Sequence, residues 1–220
     1  MSGFVIAIDG PAASGKGTLA RKVAAALEFA YMDTGALYRM VGYTVLERDG
    51  DPGEADEARD AAEFLRDYFS PDLLANPKLR EDACGQAASK VAVVPAVRSA
   101  LLDLQKSFAK SPGATFKGAI LDGRDIGTVV CPDAPVKLYI TASDEVRAER
   151  RLKELQSKGL EVTYDTVLKD MRERDARDMA REAAPMKPAA DAITIDSSDL
   201  GPDEMLDKAL SVIKERLPVS

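Results

Sequence analysis

The run from Gly10 to Thr18, GPAASGKGT, constrains this chain more than any other feature. It follows a short apolar run, Phe4 to Ile8, and opens an Ala-rich stretch of helix formers, Lys16 to Leu27. A strand, a glycine-rich turn and a helix in that order form a phosphate loop. The reason is local. Glycines let the backbone turn its N–H groups inward around a phosphate, and the helix N-terminus adds partial positive charge. In this reading Gly10, Pro11, Ala12, Ala13, Ser14, Gly15, Lys16, Gly17 and Thr18 make the cradle, and Lys16 extends toward the β- and γ-phosphates of a nucleotide. Position 17, where many such loops place a magnesium-ligating Ser or Thr, is glycine here, and Thr18 follows one residue later.

A parallel sheet suits the rest of the chain. Phe4 to Ile8, Ala119 to Leu121, Val136 to Ile140 and Ala192 to Ile195 are short apolar runs mostly bounded by Gly, Pro or Asp, with a weaker one at Ala30 to Met32. Helical patterns lie between them. Ser143 to Lys158 starts on a capping serine with acids in its first turn and stops at Gly159, and Pro202 opens a last helix to about Leu217. Strands alternating with helices imply an α/β fold whose sheet is covered on both faces. Two stretches break the alternation: Ala36 to Lys110, helical with no core strand, and Val146 to Arg181, two charged helices around Gly159. Both read as insertions over the top of the sheet. Glu47 to Asp67 holds 9 acids and 3 bases, whereas Asp144 to Arg181 is balanced, so much of the acidity is concentrated away from an anion site.

Composition removes whole classes of chemistry. The 220 residues include no His, which excludes Ser-His and Cys-His mechanisms and His-ligated zinc or haem. Cys84 and Cys131 form no CxxC pair; they suit a reducing cytosol and read as buried apolar residues. A net charge of −7, 6 Tyr, 6 Phe and no Trp argue against nucleic acid as a partner. No apolar run approaches the ~20 residues of a membrane span, and no basic leader precedes the first apolar run, so a cytoplasmic protein is expected.

Three further constellations carry chemistry. Asp33-Thr-Gly-Ala-Leu-Tyr-Arg39 lies at the end of the weak strand: Asp33 and Thr34 suit a helix cap, and Thr34 and Arg39 also suit a phosphate, as a hydroxyl donor and a bidentate fork. Asp122-Gly-Arg124-Asp125 begins where a buried strand emerges, the end at which open α/β sheets bind ligands. Asp122 occupies a position that can orient magnesium or its waters. Arg124 and Asp125 suit either a mutual surface pair or ligand contact. In the third run Arg174, Arg177, Asp178 and Arg181 share one helical face, either a solvated charged face or an arginine clamp on transferring phosphates.

Taken together, the GKGT phosphate loop, the DTGALYR, DGRDIGTVV and RERDARD runs, the segment Ala87 to Arg98 and the segment Ala184 to Asp191 resemble the bacterial cytidylate kinases, in order and over nearly the whole chain. The resemblance implies a five-stranded parallel P-loop kinase fold. Its core would be residues 1–35, 111–145 and 182–220, with a nucleoside monophosphate-binding insertion at 36–110 and a lid at 146–181. It implies MgATP as donor, held on Gly10 to Thr18, and CMP or dCMP as acceptor. Thr34, Arg39 and Arg124 would hold the CMP phosphate, Ser89, Arg98 and Asp125 the cytosine, and Asp178 the sugar, while Arg174 and Arg181 would arrive with the lid. The implied catalytic set is Lys16, Arg124, Arg174 and Arg181, with Asp33 and Asp122 as candidates around magnesium and no direct ligand assigned. A monomer is expected. Many members carry a small sheet in the monophosphate insertion; the two prolines in Phe69 to Leu79 disfavour it here, and position 34, often Ser in the family, is Thr.

The expected reaction is transfer of the ATP γ-phosphoryl group to the CMP phosphate. The acceptor is already an anionic oxygen, so the absence of His costs nothing. Two other readings compete. One is a P-loop kinase for UMP, AMP or a non-nucleotide alcohol. The other is a regulatory P-loop NTPase stimulated by a macromolecule. A GTPase is disfavoured because the sole Asn, Asn76, precedes Pro77 and forms no Asn-Lys-x-Asp.

Overall fold

The computed structural model describes residues 4–217; the outer ends of the expected core, residues 1–3 and 218–220, lie outside it. Five parallel strands form one sheet: β1 (Phe4–Asp9), β2 (Ala30–Asp33), β3 (Gly118–Gly123), β4 (Val136–Thr141) and β5 (Ile193–Asp196), in the spatial order β2-β3-β1-β4-β5. The expected α/β class and all five strands are present. Most strands run on past their apolar stretch to an Asp, Gly or Thr, because main-chain pairing does not require apolar side chains; in β1 and β3 the strand ends Asp9, Asp122 and Gly123 are themselves buried. In register, Asp33 pairs with Asp122, Ile8 with Asp122 and Asp9 with Gly123. Three carboxylates therefore reach the same edge of the sheet.

Alternation along the strands builds two cores. Ile6, Ile8, Ile120, Leu138 and Ile140 pack on one face against α1 (Lys16–Leu27) and α8 (Pro202–Lys214). Ala7, Ala119 and Leu121 face the other way, toward α2 (Thr34–Leu46), α3 (Ala55–Asp67), α4 (Asp82–Val91) and α5 (Pro95–Lys110). The last helix ends at Lys214, three residues short of the expected Leu217, with turn structure beyond.

The stretch between β2 and β3 is helical, and its first helix starts at Thr34, two residues before the expected boundary. It contains no strand. Phe69 to Leu79 forms two short 3₁₀ turns, Pro71–Ala75 and Pro77–Arg80, each opened by a proline whose missing N–H costs nothing at a helix start. The acidic α3 packs on α2 and α5. After β4 come α6 (Asp144–Ser157), capped by the Ser143 hydroxyl accepting from the Val146 amide, and α7 (Tyr164–Ala180). These two join through a small core of Ala148, Leu155, Val167 and Met171, against which Ala13 packs. Cys84 is buried as expected; Cys131 is only half-buried.

Candidate active site

The phosphate loop has the backbone its glycines permit. Gly10 has φ 148°, and a Cβ there would lie 2.0 Å from the Ile140 carbonyl oxygen, so no other residue fits. Gly15 stands before α1 at φ 87° and offers no side-chain cap, and no acid sits in the first turn of that helix. The leading amides of α1 are thus left for an anion. Lys16 crosses the loop, its Nζ 3.4 Å from the Pro11 carbonyl. Burial and then the Arg124 guanidinium draw its pKa below the ordinary lysine range, while Asp122 and Asp33 oppose them.

At the end of β2, Asp33 is the helix cap. One carboxylate oxygen accepts from the Ala36 amide at 3.2 Å and the other from Arg39 at 3.2 Å. Thr34 donates its hydroxyl to the Asp122 carbonyl at 2.7 Å and is buried, so it ties α2 to the end of β3. With its one proton committed, it stands beside the site as a brace.

The Asp122 to Thr128 loop is held by a residue that sequence reasoning passed over. Asp9, at the end of β1, accepts from the amides of Ile126 and Gly127, both at 2.8 Å. Burial raises its pKa to about 7, against the pull of those two amides. A carboxylate closing a buried strand just before the glycine loop was the available signal.

Arg124 and Asp125 are not a mutual pair. The Arg124 Nη1 donates to the Gly10 carbonyl at 2.9 Å and its Nε to Asp178 at 3.2 Å, linking phosphate loop and α7. Asp125 pairs instead with Arg98 of α5, whose guanidinium lies 5.6 Å from the centroid of the Tyr38 ring. Asp125 is buried and Arg98 mostly so, and one Arg98 nitrogen, Nη1, is itself buried without a partner.

The charged face of α7 is not solvated. Asp178 accepts from Ser89 of α4 at 3.1 Å, and Arg177 donates to Gln86 at 2.9 Å. The buried Arg174 Nε and Arg181 Nη2 have no partner. Burial, and then Arg124, pulls the Arg174 pKa down to about 10. Cations that depress one another in this way are arranged for an anion. Arg147 of α6, also missed in sequence, fastens α7 to the phosphate loop, bonding Asp175 at 2.6 Å and the Ala12 carbonyl at 3.2 Å.

Most of these side chains line two clefts, whereas Asp9, Arg147, Asp175 and Arg177 line neither. The larger, of about 800 Å³, runs between the phosphate loop, α6 and α7, and the smaller, of about 70 Å³, lies under α2, α4 and α5. Lys16, Asp33, Arg39, Asp122, Arg124 and Arg174 line both, so the clefts meet at a charged junction. Ser89, Arg98, Asp125, Asp178 and Arg181 line only the smaller one, together with Thr34. No residue of the acidic α3 lines either cleft. Among the described residues no helix is long and apolar enough to cross a membrane.

Known proteins resemble this chain over nearly its whole length. A family model described as cytidylate kinase matches residues 6–215. A cytidylate kinase of Paramagnetospirillum magneticum is 58% identical over 95% of this chain and 97% of its own length. One from Rhodospirillum rubrum is 54% identical over 97% of this chain and 98% of its own. Among solved structures, an uncharacterized protein from Eubacterium ventriosum shares the fold at a TM-score of 0.53 and 14% identity, covering 97% of this chain and 99% of that one.

Proposed function

Because the chain belongs to the cytidylate kinase family, we propose that it transfers the γ-phosphoryl group of ATP to CMP or dCMP, giving ADP and CDP or dCDP. The observation that carries this reading is the shared lining of the two clefts by Lys16, Arg39, Arg124 and Arg174. Two nucleotides entering from the two sides would bring their phosphates together there. Most of the repulsion between the two anions would be offset by fixed cations.

The donor phosphates sit on the amides of Gly10 to Thr18, with Lys16 on the β- and γ-phosphates. Arg39 and Arg124 hold the acceptor phosphate, braced by Thr34, and Arg174 lies between donor and acceptor. The cytosine enters the smaller cleft against Ser89, Arg98 and Asp125. Asp178 holds the sugar, and Arg181 closes the cleft from the end of α7. An anionic phosphate oxygen of CMP attacks the γ-phosphorus in line, and the bond to the bridging β–γ oxygen breaks toward ADP. No proton has to be removed, so positioning and charge stabilisation suffice. The helices α6 and α7 act as a lid that excludes water, which would otherwise hydrolyse the donor.

The site fits magnesium at one carboxylate. Asp33 has both oxygens engaged, whereas among the described residues Asp122 uses one oxygen for Tyr31 and its other accepts no protein hydrogen bond. With no group of three acidic, His or Cys side chains assembled among the described residues, the ion would be held mostly by phosphates and water, as magnesium prefers. Bound beside Asp122, it would supply positive charge that neutralises the donor phosphates. The reading includes a cytoplasmic monomer that needs no nucleic acid.

Coupled-assay turnover across CMP, dCMP, UMP and AMP tests the proposal. CMP and dCMP should be favoured by kcat/KM. Preference for UMP or AMP, or ATP hydrolysis indifferent to CMP, would overturn it.

A further inference from the structure

Position 17 and the residue beneath it explain each other. A Cβ on Gly17 would stand 3.2 Å from Oδ2 of Asp122 and 3.9 Å from the Tyr31 hydroxyl. That same Oδ2 accepts a 2.8 Å hydrogen bond from Tyr31. The Asp122 carboxylate therefore lies against the loop, in contact with the place where a Ser or Thr side chain at position 17 would begin. Tyr31 holds it there from β2, the strand paired with β3, two residues before the Asp33–Asp122 register pair. The main chain of Asp122 is fixed independently, by Thr34 on its carbonyl. Only its carboxylate torsion is left to set, and the Tyr31 hydroxyl sets it.

We infer that Tyr31 is a positioning residue for phosphoryl transfer: it pins Oδ2 of Asp122 under Gly17 so that Oδ1 faces the magnesium shell of the donor. The pair Tyr31–Asp122 stands in for the missing hydroxyl of the phosphate loop. This rests on the proposal that magnesium accompanies ATP. A carboxylate free to rotate would spend part of its time turned from the ion, so the effect of Tyr31 belongs to the magnesium-loaded donor and not to the nucleotide alone.

The test measures ADP binding by calorimetry, with magnesium and with EDTA, in the wild type, Tyr31→Phe, Asp122→Asn and the double variant. Phenylalanine keeps the ring and removes only the donor. The ratio of affinities with and without magnesium should fall about tenfold in Tyr31→Phe, as expected for losing a hydrogen bond to a charged group, while binding in EDTA stays within about twofold. The double variant should lose no more than Asp122→Asn alone, because both changes remove one unit. In turnover, kcat should fall by a similar factor with KM for CMP unchanged. A wild-type ratio in Tyr31→Phe, or equal weakening with and without magnesium, would overturn the inference. If the wild type itself gains nothing from magnesium, the magnesium reading fails first and the role of Tyr31 fails with it.

Discussion

The carboxylate of Asp125 is paired with the guanidinium of Arg98, 27 residues earlier in the chain, and turns away from Arg124 beside it. The pair is buried in the smaller cleft, where the acceptor base is proposed to sit. Burial pushes the Asp125 carboxyl up, and Arg98 foremost, then Arg181 and Arg124, draw it back down. One carboxylate oxygen can thus be held by Arg98 while the other is offered to a ligand.

Base choice is expected to follow from that offer. Cytosine presents an N4 amino donor where uracil presents an O4 acceptor, and a carboxylate accepts from the first and repels the second. Asp125→Asn keeps the size but can donate. It should lower kcat/KM for CMP and narrow the CMP-to-UMP ratio by about tenfold or more. Steady-state kinetics with both acceptors check this. If Asp125 only shapes the loop through Arg98, both substrates decline together and the ratio stays put.

Lys16→Ala should remove most of the turnover and leave the fold intact. The side chain spans the loop and contributes a single long bond to Pro11. Loss of one positioned charge at the transferring phosphates should cost on the order of 10²–10³ in kcat, comparable with loss of an oxyanion donor. The measurement is kcat at saturating ATP and magnesium beside a thermal melt. Near-wild-type kcat would remove Lys16 from the reaction.

The helices α6 and α7, proposed as a lid, should tighten when both nucleotides are bound. Their own core is small, and Arg174 and Arg181 keep unpartnered nitrogens inside the site. Anions arriving there satisfy those donors, so amide exchange over residues 150–181 should slow with ATP and CMP analogues together. Equal protection with and without them would show that α6 and α7 do not close on the substrates.

Asp9 should make stability depend on pH. Its pKa rises from 3.8 to about 7 on folding, chiefly through burial. Between those values the folded state binds more protons than the unfolded, so this contribution is present in full below 3.8 and is lost as pH rises through about 7. The chain has no His, but Lys16, drawn down to about 7, titrates in the same range with the opposite effect on stability, so the Asp9 contribution is read from the difference between the wild type and Asp9→Asn. Urea unfolding of the wild type at pH 5 and pH 8 should show a decline of about 1 kcal/mol or more that Asp9→Asn lacks. The variant should also lose activity, because an amide side chain can accept from only one of the Ile126 and Gly127 amides and sets a donor against the other. Matching pH slopes in the two proteins would take Asp9 out of this role.

Much of the architecture was legible in the sequence. The helix from Lys16 to Leu27 has the bounds its composition implies, since Gly15 and the glycine loop before it can only be a turn. The strands and the helical character of both insertions followed from periodicity, a local property. The prolines of Phe69 to Leu79 disfavoured a small sheet there without deciding it, because a residue without an N–H serves a central strand poorly; the stretch forms 3₁₀ turns instead.

The partners of the charged side chains were decided only by the tertiary structure. Asp9 meets Ile126 of the loop it cradles across 117 residues, and Thr34 meets Asp122 across 88. Sequence adjacency left open that Arg124 pairs with Asp125, but the two leave the end of β3 in different directions, one to Gly10 and Asp178, the other to Arg98. A motif fixes which residues stand at a strand end, since backbone geometry repeats from protein to protein. Where each carboxylate and guanidinium turns depends on which strands are neighbours and in what register, and that is settled by the packing of the whole sheet.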